Sequence, residues 1–171
     1  MGLDIRAYEK ATLAEAISFE EMQARDWKHP LYDNSRFLFL FRGDFPEQAD
    51  GMVDGFYTFG GEGFAFPAGS YHAYYAWREW LARLVGVTTK EIENAHGAAK
   101  MMARLTPFYA LIHFTSSSGF IGPKTSAKLA ETFDVFTERA RASGDVDEMD
   151  VFKDFHKAFR IAAKGGFVRF H

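Results

Sequence analysis

The chain has no cysteine, which removes disulfides, thiol nucleophiles and thiolate metal sites together. Net charge is also scarce. Twenty Lys and Arg stand against 23 Asp and Glu, so no surface-wide basic field exists to meet a nucleic-acid backbone. Long apolar runs are missing, and none approaches the roughly 20 residues of a membrane-spanning helix. The opening Met1-Gly2-Leu3-Asp4 lacks the basic-then-apolar order of a secretory signal, and Arg6 stands where a myristoylation motif needs Ser or Thr. These absences point to a cytoplasmic protein with no membrane association. Internal repeats, low-complexity tracts and dividing linkers are absent as well, so residues 1–171 read as a single domain.

Aromatic material is abundant. With 47% apolar residues and 19 Phe, the chain has ample means to bury a core. Leu3, Ile5 and Ala7 alternate with polar neighbours, the period of a half-buried strand. Ser18 and Glu21 have capping-box spacing and open a short helix. Residues 37–41 are apolar throughout and suit a central strand. Residues 56–59 and 64–66 flank Gly60-Gly-Glu-Gly63 and read as a hairpin. Ser70 caps a helix to about Val85, and Thr88 with Glu91 caps another, whose seam runs through Ile92, Ala95, Ala99 and Met102. Residues 107–114 are too short and uniformly apolar for periodicity to decide between strand and helix, and the loop and helix that follow favour a strand. Two further helices follow, through Leu129, Phe133, Phe136 and Ala140 and through Phe152, Phe155, Phe159 and Ala162. Gly165-Gly166 ends the second, and residues 167–171 return as a strand. The fold expected is α+β: a mixed or mainly antiparallel sheet of about four to six strands, packed with about four helices.

No catalytic constellation emerges. The glycines of Gly119-Phe-Ile-Gly122-Pro-Lys124-Thr125 are too close for a Walker loop, and Pro123 displaces the lysine. Ser116, Ser117 and Ser118 do not form a Gly-x-Ser-x-Gly elbow. The six histidines include no His-Glu-x-x-His and no pair at i, i+4, and the acidic residues miss the EF-hand pattern, so neither metal nor cofactor is expected. Two binding features remain. Pro123 suits a first helical position, where free amides, Lys124 and the hydroxyls of Thr125 and Ser126 either cap the helix or receive an anion. Tyr71, Tyr75 and Arg78 share a helix face that either stacks a ligand or packs its aromatics in the core while Arg78 snorkels to water. Lys153, Lys157, Arg160 and Lys164 line one face of the last helix, and acids at its start complement the macrodipole.

Four stretches carry a resemblance: MGLDIRAY (1–8), FAFPAGSYHAYYAWREWLARLVG (64–86), PFYALIHFTSSSGFIGPKTSAKLAETF (107–133) and AFRIAAKGGFVRFH (158–171). In this order they resemble a family of proteins encoded by bacteriophages and prophages. The opening strand, the Gly-Ser-Tyr helix and the small-residue loop are also loosely similar to some toxin-immunity proteins, which work by binding. The phage family often carries Ser-Asp-Cys-Glu-Gly where this chain has Thr115-Ser-Ser-Ser-Gly119, so chemistry by that acid and thiol does not carry over.

The resemblance implies an accessory protein of the bacterial host cytoplasm, acting in counter-defence or host modulation. The expected partner is a host protein or a small anionic, nucleotide-like ligand. Its site is expected at Tyr71, Tyr75, Arg78, Ser116, Ser117, Ser118 and Lys124. One rival reading is a hydrolase or transferase on a nucleotide-like substrate, which needs a serine or Asp4 beside a histidine in a closed pocket. Another is a self-associating structural protein, a homo-oligomer.

Overall fold

The computed structural model describes residues 2–26, 36–115, 118–143 and 146–171. The strands are β1 Gly2–Ala16, β2 Phe37–Leu40, β3 Gly55–Ser70, β4 Gly119–Ile121 and β5 Phe167–Phe170. The helices are α1 Phe19–Ala24, α2 Tyr71–Leu84, α3 Thr89–Glu93, α4 Gly97–Ala103, α5 Tyr109–His113, α6 Pro123–Ala142 and α7 Val146–Ala162, with a 3₁₀ turn at Pro46–Ala49. The five strands form one sheet in the order β2-β3-β1-β5-β4, and every neighbouring pair is antiparallel. The α+β class is therefore as expected. Seven α-helices among the described residues exceed the expected four, because three of the seven are single turns of five or six residues.

Local signals explain most boundaries. Both capping boxes form: Ser18 and Thr88 each accept from the amide three residues on, while Glu21 and Glu91 reach back to the cap. The Ser70 side chain accepts from Ala73 at 3.1 Å and opens α2. Pro123 takes the first position of α6, with Gly122 as its cap.

Three expectations fail for identifiable reasons. Residues 55–70 are one strand rather than a hairpin, because β1 continues to Ala16 and pairs along their whole length. Tyr8 pairs with Gly63 but Glu9 with Gly60, so residues 61 and 62 bulge out, and Gly61 absorbs the bulge at φ +72°. Residues 107–114 are not a strand. Phe108 reverses the chain at φ +59° and α5 follows, burying Leu111 and Ile112. The helix expected through Met102 breaks at Asn94 and restarts at Gly97, whose φ of +54° no regular helix accommodates.

Helices α2, α6 and α7 cover one face of the sheet. There Leu3, Ile5, Ala7, Val168 and Phe170 meet Trp77, Phe155 and Phe159 in the main core. Side chains alternate along each strand, so Arg6, Tyr8, Phe167 and Arg169 point to the opposite face. On that face Leu38 and Leu40 of one edge strand share a cluster with Phe120 of the other. The sheet must curl toward this face for its two edges to meet. The approach is close, since a Cβ on Gly43, just past β2, would stand 2.8 Å from the Ser118 carbonyl oxygen. Among the described residues, no helix is long and apolar enough to cross a membrane.

Candidate functional site

Five of the seven expected site residues are described, and Ser118 lines a cavity that the other four do not. Tyr71 and Tyr75 lie exposed on α2. Arg78, on the same helix, is 2% exposed. Its Nε donates to the Ile112 carbonyl at 2.9 Å, its Nη2 donates to the same oxygen, and Nη2 also meets Glu93 at 2.7 Å. The guanidinium lies 5.9 Å from the Tyr75 ring centre, so that aromatic contact does form. Its charge, however, is answered inside the protein. Arg78 ties α2 to α3 and α5. Ser116 and Ser117 lie outside the described residues. Lys124 is exposed in the first turn of α6.

The anion expected at the start of α6 is the protein's own. Asp50 follows the 3₁₀ turn and accepts from the Thr125 amide at 2.8 Å and from Thr125 Oγ1 at 2.7 Å. A carboxylate is thus seated on the third amide of a 20-residue helix, where free N–H groups and the macrodipole favour negative charge. Gly122 makes room for it. A Cβ there would stand 2.7 Å from the Ala49 carbonyl oxygen and 2.8 Å from Asp50 Oδ2. The hydroxyl of Ser126 is buried and has no hydrogen-bond partner.

Ser118 belongs to a different site. It lines a cavity of about 510 Å³ where the edges of the curled sheet approach each other. Phe19 and Met22 of α1, residues 38–41 and the chain from Arg169 to His171 supply the rest of its wall. Among the described residues that wall is apolar apart from Ser118, Arg169 and His171, and none of them contributes a carboxylate side chain.

Arg169 is half-buried, and its cross-strand partner in the β1–β5 register is Arg6. Like charges in this relation repel. Burial, and then the Arg6 guanidinium, push the pKa of Arg169 below the ordinary arginine value, with Tyr8 opposing. Among the described residues, no carboxylate lies within ion-pair distance of either arginine. His171 sits two residues along the same face. Burial, then Arg169 and Arg6, hold its imidazole below the usual histidine range, while Asp4 across the ladder pulls the other way. Its Nε2 is buried without a hydrogen-bond partner.

A second concavity, of about 620 Å³, runs between α6 and the chain leading into α5. Arg78 lines neither concavity. Among the described residues, no three His, Asp or Glu side chains converge as a metal site requires.

Sequence reasoning missed Arg6, Arg169 and His171. The alternation in Phe167-Val-Arg-Phe170 gives the strand and even its faces. The pairing that sets Arg169 beside Arg6 joins opposite ends of the chain and leaves no local trace. Comparison with protein-family models, curated proteins and solved structures found no match.

Proposed function

We propose that the protein binds a small organic anion in the cavity inside the curl of its sheet. The ligand would set a carboxylate or phosphate on Arg169, beside its cross-strand neighbour Arg6, and lay a flat apolar body against Phe19 and residues 38–41. One observation carries this reading: Arg169 is half-buried in an apolar cavity, faces another arginine, and has no carboxylate partner among the described residues. A guanidinium so placed gains from a charge-assisted, bidentate anion contact more than a solvated one does. Nucleoside monophosphates and aromatic carboxylates both fit this chemistry. The phage-family resemblance would put such binding in a bacterial host cell, with counter-defence or host modulation as its use.

The test is thermal shift with these two ligand classes, set against a neutral nucleoside and a neutral aromatic amide. At a hundred times Kd, a bound ligand stabilises by about 2.7 kcal/mol. That raises Tm by roughly 5–11 °C in a chain of this size. Arg169→Gln should abolish the response and leave the fold intact. A panel without effect on wild-type protein, or a response that survives in Arg169→Gln, overturns the reading.

One arrangement favours a hydrolase instead. Ser118 and His171 line the same cavity, and Asp4 exchanges both backbone hydrogen bonds with His171 across the ladder. The unpartnered His171 Nε2 argues for binding, since a general base needs hydrogen-bond reach to its nucleophile. Covalent labelling of Ser118 by a fluorophosphonate would establish the hydrolase; an unlabelled serine supports the binding protein.

A further inference from the structure

The second concavity adjoins a surface that the fold leaves unfinished. Helix α4 buries none of its residues. Met101 and Met102 are 70% and 68% exposed, and Leu105, just beyond the helix, is 74% exposed. Leu105 also lines one wall of the groove, with Pro107 and Phe108, and α6 supplies the other through Phe136 and Val135, the latter 76% exposed. Four of the exposed large apolar side chains therefore gather in one region. A monomeric surface rarely concentrates them in this way.

A ridge and a groove thus stand side by side, and neither has a partner among the described residues. The rim of the groove carries Arg104 and Lys128 and also Glu47 and Glu131, two charges of each sign. Such a rim discriminates against a strongly acidic or basic partner but is complementary to a copy of itself.

From this geometry we infer that two copies of the chain associate about a two-fold axis through this face. Each α4 ridge enters the other copy's α5–α6 groove. In an isologous contact, one surface supplies both halves of the interface, so a ridge beside a groove is the arrangement such symmetry needs. Methionine suits the ridge, because its unbranched thioether adapts to an irregular groove. Across the axis, Arg104 of each copy faces Glu131 of the other. The dimer leaves the cavity at Arg169 open, since none of the residues lining the groove lines that cavity.

Sedimentation velocity on the full chain, from micromolar concentration upward, tests this. Wild-type protein should reach twice the chain mass. Replacing Met101 and Met102 together by Lys should weaken the dimer about a hundredfold, the effect of losing a central apolar anchor. Both positions are exposed, so far-UV circular dichroism should stay at wild-type values, as should Tm measured below the concentration at which wild type associates. Arg104→Glu and Glu131→Arg should each weaken association about tenfold, and the two combined should restore it. A wild-type chain that stays monomeric throughout overturns the inference. So does a dimer that the methionine replacements leave unchanged, or a charge reversal that the second reversal fails to rescue.

Discussion

Replacing Arg78 by Met removes a guanidinium while keeping most of its apolar stem, and so isolates what the charge does. In the wild-type protein two of its N–H groups meet the carbonyl of Ile112, a fully buried residue near the end of α5. Without them that oxygen is left with no donor among the described residues, and an orphaned buried acceptor costs about 1–3 kcal/mol. The ion pair adds less. The Glu93 side chain is 30% exposed and rehydrates when its partner leaves, so its loss is worth roughly 0–1 kcal/mol. The sum is about 4 kcal/mol at its upper end, or roughly 8–16 °C in Tm for a chain of this size. Urea unfolding followed by tryptophan fluorescence reads it directly, because Trp77 and Trp80 flank position 78 on the same helix. A loss below about 1 kcal/mol would refute the clamp, since an orphaned buried acceptor alone exceeds that. A stable Arg78→Met variant that no longer responds to anions would return Arg78 to the binding site.

Two further outcomes follow from the same structure. Asp50→Asn retains one acceptor and tolerates the left-handed conformation of this position, φ 56°, but gives up the charge and one hydrogen bond to Thr125. It should cost about 1 kcal/mol, seen as a fall of roughly 2–4 °C in Tm, and an unchanged Tm would remove Asp50 as the cap of α6. His113, His156 and His171 are all held below the ordinary histidine value, in each case chiefly by burial. Their unfolded forms therefore take up protons first as pH falls below 6.5, and stability should drop from there toward the lower folded values. His113→Phe, which keeps a ring between Phe45 and Tyr109, should flatten a plot of Tm against pH in that window. A slope equal to wild type would count against His113 as a contributor.

What could be read from the sequence was whatever local chemistry dictates. The capped starts of α1, α2 and α3 rest on a serine or threonine three residues before its partner, and each forms as expected. The strand at 167–170 also forms. Failures occurred where a distant partner decides. Gly60-Gly-Glu-Gly63 carries turn chemistry, yet β1 offers a continuous edge that converts the turn into a bulge. Residues 107–114 are apolar at nearly every position, and such a run does not distinguish strand from helix; packing against α3 and α2 selects the helix. Arg78 looked available because its helix face is shared with two exposed tyrosines, whereas the acceptors that bury it come from other elements. Arg169 drew no attention because its neighbour Arg6 belongs to the other end of the chain. Of the candidate site, Ser118 alone was named beforehand.

The central position of β1 has a consequence for how the chain acquires its structure. One edge of β1 pairs with β3, which emerges from the ribosome early, but its other edge pairs with β5, which appears after every other described element. Until then, β1 presents an unpaired row of amides and carbonyls beside the apolar face of Leu3, Ile5 and Ala7. An edge of this kind is prone to pair with another nascent chain. Closing the ladder between Asp4 and His171 also spans nearly the whole sequence, the longest loop this topology has to close. Productive folding should therefore depend on late docking of residues 167–170, and the yield of folded protein should be more sensitive to substitution there than burial alone would suggest.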